Sequence, residues 1–484
     1  MTLSCRTTNE ALHSRAEAYK PAKYASETPV IPAPEIFQHE PTAADKDSTS
    51  RLPTVSECAI HLELLEVFFV LRERILRSEE IDKSMGIAPK RETKTGHKGD
   101  TKILKDTTFE TRRKQKWPKY VEFAVARFLN WRSELKKMAR PEDISSFRYK
   151  LPSLDVLMVW HSFLLNPLFF NKHCRTELIY DLPFPWQRIH ECINNSDWSF
   201  QLPADDTTQT SPLFDVLSTW ESHIPSESSH VPSTTTTITA PLPSFFSKPT
   251  VTPKPTAPSL LLPAFTLSSS PDPSTTTSLP TNISCHASLF HIISTSPSLS
   301  TLATALHAAV IRQTSFIDKM NSHLWIRSPS LESTLTHAIS RYSNFLLLMR
   351  RNKGKMLVPT VDIDLAWHTH QCSGGRNYAT GVKERVGRFV NHDDDLEKGV
   401  LSDGAAETRR LWRLQVGGEY KRCGCWDCEG MLEEMERVVK EGREEGEVDM
   451  DGVVKRVEES VGYYRAVEAA RRGKRALPAK PNGL

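Results

Sequence analysis

The 484-residue chain lacks any apolar run approaching the length of about 18 residues at which a membrane-spanning helix is suspected, so no span is expected. Residues 1–20 hold no apolar h-region, which argues against a secretory signal; their Ser/Thr-rich, slightly basic character leaves a mitochondrial presequence as the alternative. Neither sign of charge dominates. Sixty-two Lys+Arg face 59 Asp+Glu, a net charge of +3, so the chain as a whole is not built to bind a polyanion. Glycine is scarce, at 20 residues against 32 prolines, which points to Pro-rich linkers. The sequence holds no G-x-S-x-G, no P-loop and no dinucleotide fingerprint, which removes the common nucleophile and nucleotide sites. Nine cysteines, an odd and mostly scattered set, read as reduced thiols and not as a disulfide framework. These readings place the protein in the cytoplasm. The basic run Arg471-Arg472-Gly473-Lys474-Arg475 makes the nucleus the alternative, although a frayed, charged tail explains it equally.

What is present is helical periodicity. Residues 1–52 carry turn formers and no period, and are read as a disordered N-terminal region. Order begins at Pro53, where Ile60, Leu64, Val67, Leu71 and Ile75 make one stripe of an amphipathic helix with Ser56 as its N-cap. A basic, polar insertion follows at 86–116, including Lys90, Arg91, Lys94, Arg112, Arg113 and Lys116. It is read as solvated, with nucleic-acid contact as the alternative. Trp117-Pro118 opens a second helix, and a third is expected over 153–165. Residues 202–283 are rich in Pro, Ser and Thr and nearly uncharged, and are read as a disordered linker. Periodicity returns over 284–435, and 436–484 reads as a charged helical tail with largely solvated faces. The expected fold is therefore mainly α, with the unit at 53–201 and the unit at 284–435 separated by the linker.

The two units share a motif. Leu151-Pro152-Ser153-Leu154-Asp155 leading to Trp160-His161 aligns without gaps on Val358-Pro359-Thr360-Val361-Asp362 leading to Trp367-His368. Upstream, Arg127-Phe128 and Trp131 correspond to Arg341-Tyr342 and Phe345. Agreement of Asp and a Trp-His pair at fixed spacing points to a duplicated helical unit. Locally, Ser153 and Thr360 suit N-caps, and Asp155 and Asp362 face the positive end of the helix dipole. The structural reading makes each Trp and His a buried polar pair tying the two halves together.

The second copy adds Asp364 and His370. Asp364 and His368 are i,i+4 and share a helix face, so the carboxylate can orient the imidazole. His368 and His370 are i,i+2, and on a helix they point to nearly opposite sides. The run Cys423-Gly424-Cys425-Trp426-Asp427-Cys428 packs three thiols into six residues, a spacing that suits zinc. A closed site needs a further ligand, for which Cys372, His370 and His392 are the candidates. Reduced thiols at a helix start and redox chemistry are the competing readings. His392-Asp393-Asp394-Asp395 offers hard oxygen donors, or simply a solvated cap.

With these motifs, and with Arg312 to Met320, Arg388-Phe389-Val390 and Cys423 to Cys428, the chain resembles the glycine-rich domain-containing-protein-like family of fungi and plants. That resemblance implies no transferable catalytic residues. Plant relatives carry Gly-rich C-termini with a suggested RNA-binding role, and this chain has no such tail. Some fungal relatives are labelled 2-oxoglutarate-dependent dioxygenases, whose His-x-Asp/Glu…His triad sits on a β-helix, whereas the period here is helical. Where the family usually continues with an apolar residue and Pro, this chain reads Cys372-Ser373-Gly374-Gly375. The leading expectation is a non-enzymatic interaction scaffold with protein partners and no assigned cofactor, a zinc at Cys423, Cys425 and Cys428 being the alternative. The alternatives are a metal-dependent enzyme using Asp364, His368 and His370, with His161 joining from the first copy, and nucleic-acid binding through 86–116.

Overall fold

A computed structural model describes residues 32–38, 52–90, 92–95, 101–104, 106–141, 144, 149–203, 292–395, 398–442 and 449–480. The architecture is mainly α, as the periodicity predicts. Most of the segment read as a linker, and the N-terminal residues other than 32–38 and 52, lie outside the described residues. Residues Pro34–Gln38, read with the unordered N-terminus, form a 3-10 turn that buries Ile36 and Phe37.

Helix α1 (Val55–Arg77) is buried nearly all round and forms the centre of the core. Its N-cap is Thr54, not Ser56. Thr54 and Glu57 close a reciprocal capping box, with bonds of 3.1 Å and 2.8 Å. Ser56 Oγ instead donates to the Phe37 carbonyl and ties down the 3-10 turn. After α2 (Glu79–Ser84), the basic insertion is not simply a solvated loop. Strands β1 (Glu92–Thr95) and β2 (Thr101–Leu104) pair antiparallel, and α3 (Phe109–Arg113) follows. Three of its cations are already engaged: Arg112 pairs with Asp106, and Arg113 and Lys116 both pair with Asp82.

Helix α4 (Lys116–Lys137) packs on α5 (Leu154–Leu164). Then come α6 (Pro167–Cys174), α7 (Trp186–Glu191) and the short ladder of β3 (Ile193–Asn194) with β4 (Ser199–Phe200). The second half runs α8 (Pro297–His323), a 3-10 turn (Trp325–Arg327), α9 (Leu331–Arg351), α10 (Val361–Gln371), α11 (Gly375–Val386) and α12 (Lys398–Gln415). Helices α13 (Trp426–Lys440) and α14 (Met450–Arg472) complete it.

The halves are not separate bodies. Helix α8 packs on α1, α4 and α5, and one buried apolar cluster runs from Phe37 through α1, α4, α5 and α8 to Trp426, Val457 and Val461. A second cluster around Tyr342, Trp367, Tyr378 and Trp412 fills the space between α9, α10, α11 and α12. The tail does not wave in solvent: Val453, Val457 and Val461 form an i,i+4 stripe that is buried, which the surrounding charges hide in the sequence.

In each half the Asp of the motif helix pairs with the Arg of the helix before it. Arg127 meets Asp155, and Arg341 Nε donates to Asp362 at 2.6 Å. Ser153 and Thr360 occupy N-cap positions with extended backbone, but their hydroxyls serve these pairs instead of the helix amides: Ser153 donates to Asp155 and Thr360 accepts from Arg341.

Candidate metal centre

Asp364 and His368 lie one turn apart on α10, which brings Asp364 Oδ1 to 3.3 Å from His368 Nε2. The chain leaves α11 through the left-handed Gly387 and returns His392 to the same spot. His392 Nε2 is 3.3 Å from Asp364 Oδ1 and 3.2 Å from His368 Nε2. Three donor atoms thus form a nearly equilateral triangle, and Asp364 Oδ1 has no aligned hydrogen-bond donor. Donors of a tetrahedral ion with bonds of roughly 2.0–2.1 Å stand about 3.3–3.4 Å apart, which is this spacing.

The surroundings fix the ring that matters. His392 Nδ1 donates to the Leu165 carbonyl at 3.1 Å, so its proton sits there and its Nε2 lone pair points into the triangle. Phe316 of α8 covers His368 with ring centroids 4.4 Å apart, and Trp367 presents an edge to His392. Burial, then the neighbouring His392, push the His368 pKa well below its ordinary value. Burial also opposes charge on His392, but Asp364 outweighs it and raises the pKa. Two buried imidazoles therefore share the field of one carboxylate, and only one of them holds a proton readily. A divalent cation satisfies all three donors at once.

A second histidine pair lies close by. His161 Nε2 meets His61 Nε2 at 2.8 Å, and His61 Nδ1 meets Thr369 Oγ1 at 2.8 Å. The Thr369 hydroxyl donates to the Leu365 carbonyl, so it accepts from His61 Nδ1–H, and His61 Nε2 in turn accepts from His161 Nε2–H. This chain satisfies its protons internally. Burial pushes His161 down to about 3 and His61 well below the ordinary range, so both stay neutral.

The remaining expected residues go elsewhere. His370 faces the other side of α10 and bonds Tyr342 through Nδ1 at 2.8 Å, so it does not join Asp364 and His368. Asp155 and Asp362 belong to arginine pairs. The two indoles do not bridge the halves: Trp160 packs among Trp131, Tyr149 and Phe184 with its N–H unbonded, and Trp367 donates to Tyr378 at 2.9 Å. Of the acidic run after His392, Asp394 accepts from Arg312 and Gln313, so it is not a set of oxygen ligands. Cys423, Cys425 and Cys428 do converge, with sulfur atoms within 4.8 Å of one another. None of the three upstream candidates reaches them, since Cys372 is sealed in the main core, His370 is on Tyr342 and His392 is in the triangle. Sequence reasoning missed His61, whose position inside an apolar stripe gives no signal, and did not connect His392 with Asp364 and His368.

Residues 281–376 match the model of the family described as glycine-rich domain-containing protein-like, a segment that holds two of the three donors. The chain is similar to glycine-rich domain-containing protein 1 of Arabidopsis thaliana, at 33% identity over 128 residues, which is 25% of this chain and 15% of that protein. It is also similar to glycine-rich domain-containing protein 2 of the same plant, at 36% identity over 98 residues, which is 19% of this chain and 12% of that protein. The chain thus spans well under a fifth of either relative's length. No solved structure matches.

Proposed function

We propose that the chain, whose residues 281–376 match the glycine-rich domain-containing protein-like family model, is a helical interaction scaffold in which a divalent metal ion on Asp364, His368 and His392 staples α10 to the segment after α11 within the second half. The observation that carries this is the triangle of donors with sides of 3.2 and 3.3 Å. The three side chains come from α10 and the segment after α11. Their supports, the Leu165 carbonyl at the end of α5 and Phe316 on α8, reach the core of the first half. Two imidazoles and a carboxylate suit zinc and other first-row ions, not calcium or magnesium. Metal analysis of the purified chain tests this. One equivalent should be lost in His368→Ala and in His392→Ala and kept in His370→Asn. Equal metal in all three would remove the reading.

A metal-dependent enzyme is the second reading, favoured by the number of donors. Three protein ligands leave a coordination position for water or a substrate atom, and Asp364 is partly open, its side chain 22% exposed. Replacing the ion with cobalt(II) and adding azide distinguishes the two. A shifted visible spectrum favours catalysis, and an unchanged one favours the staple.

A further inference from the structure

The run Cys423–Cys428 forms a tight turn into α13, with Cys425 as N-cap and Cys428 one turn later. Two indoles clamp this turn reciprocally. Trp325 Nε1 donates to the Gly424 carbonyl at 2.7 Å, and Trp426 Nε1 donates to the His323 carbonyl at 2.9 Å. Gly424 is required by the clamp, because a Cβ there would stand 2.7 Å from the Trp325 ring. The same Cβ position is 3.4 Å from His323 Nδ1, so this imidazole faces the Gly424 backbone within the turn. The amide of Cys428 and the thiols of Cys423 and Cys428 lie against the Cys425 sulfur.

We infer that Cys423, Cys425 and Cys428 hold a structural zinc ion, and that the His323 ring at the end of α8, which stands outside the 4.8 Å cluster of the three sulfurs, turns in as the fourth ligand. Three thiolates and one imidazole make a closed tetrahedral set, which has no position for substrate. As each zinc–sulfur bond forms, the thiol's proton leaves to solvent, and neutral His323 contributes a lone pair, so binding releases protons and involves no redox change. The ion joins the end of α8 to the start of α13, and so anchors α13 and α14 to the core. This site is independent of the Asp364 centre, shares no residue with it, and stands whether or not that centre binds metal.

The test uses the full chain and zinc itself. Titrating the purified protein with a mercurial that displaces thiolate ligands, in the presence of a colorimetric zinc indicator, should release one equivalent from the wild type and from His368→Ala, and none from Cys428→Ser. His323→Ala should bind that equivalent at least tenfold more weakly. No mercurial-released zinc from the wild type would overturn the assignment. Should Cys428→Ser fail to fold, the wild type reconstituted with cobalt(II) still decides: a sulfur-to-cobalt charge-transfer band supports the site, and its absence overturns it. His323→Ala with unchanged affinity would overturn the imidazole ligand.

Discussion

Single buried side chains carry the sharpest consequences. His61 and His161 satisfy each other's ring nitrogens at 2.8 Å in a site without water access. His161→Ala should therefore leave His61 Nε2 without a donor and open a cavity, costing about 2–4 kcal/mol in denaturant unfolding, with metal content unchanged. His368→Ala should remove metal, so the two equivalent positions of the motif are expected to separate by readout. Glu66 is buried in α1, accepts from Asn321 at 2.8 Å, and has its pKa raised from 4.5 to about 7, mainly by burial, with the Asn321 bond opposing. A raised carboxyl pKa means that the folded state holds the proton more tightly, so this group's contribution is most favourable below pH 4.5 and is lost as pH rises through 7. The difference is about 3 kcal/mol. Glu66→Gln keeps an acceptor for Asn321 and should gain stability over the wild type at pH 8 relative to pH 5, read by urea unfolding at both values. An identical difference at the two pH values would contradict the placement of that carboxyl.

At the scale of elements, an Arg–Asp pair fixes each motif helix to the helix before it, Arg127 to Asp155 and Arg341 to Asp362. Arg127 and Asp155 are both nearly inaccessible, so Arg127→Met should leave a buried carboxylate unpaired and cost on the order of 3–5 kcal/mol, measured by thermal or denaturant unfolding. The link between α10 and α11 is a second pressure point. Gly374 has φ +95, a Cβ there would lie 2.9 Å from the Leu182 carbonyl, and one on Gly375 would enter the Tyr180 ring. The Cys372-Ser373-Gly374-Gly375 departure thus lets this turn press against residues 180–182, while Phe184 N donates to the Cys372 carbonyl. Much of this level was legible in the sequence. The stripes of α1 and α4, the shared face of Asp364 and His368 and the opposite face of His370 all follow from a 3.6-residue period. The rest was not legible, because it depends on chain segments meeting in space. His392 is 24 residues from His368, His61 is 100 from His161, and no local pattern encodes either approach. The thiols of 423–428 were visible as a cluster, but His323 is a century of residues upstream and marked only by the tertiary clamp.

Across the whole molecule, charge and periodicity misled where burial reorganised them. The basic insertion turned out to hold several of its cations in internal pairs, and the charged C-terminal helix carries a buried valine stripe. Helix α8 ties its half to the other by packing on α1, α4 and α5, and it carries both Phe316, which covers His368, and His323 beside the Gly424 backbone. Among the described residues, no helix is long and apolar enough to cross a membrane. X-ray absorption at the K-edge of the first-row metal retained by Cys428→Ser protein decides whether Asp364, His368 and His392 hold an ion. One equivalent is expected, with nitrogen and oxygen ligands at roughly 2.0–2.1 Å, more distant imidazole scattering, and loss of the signal in Cys428→Ser/His392→Ala. A chain without metal, or a ligand set unchanged by removal of His392, would contradict the staple.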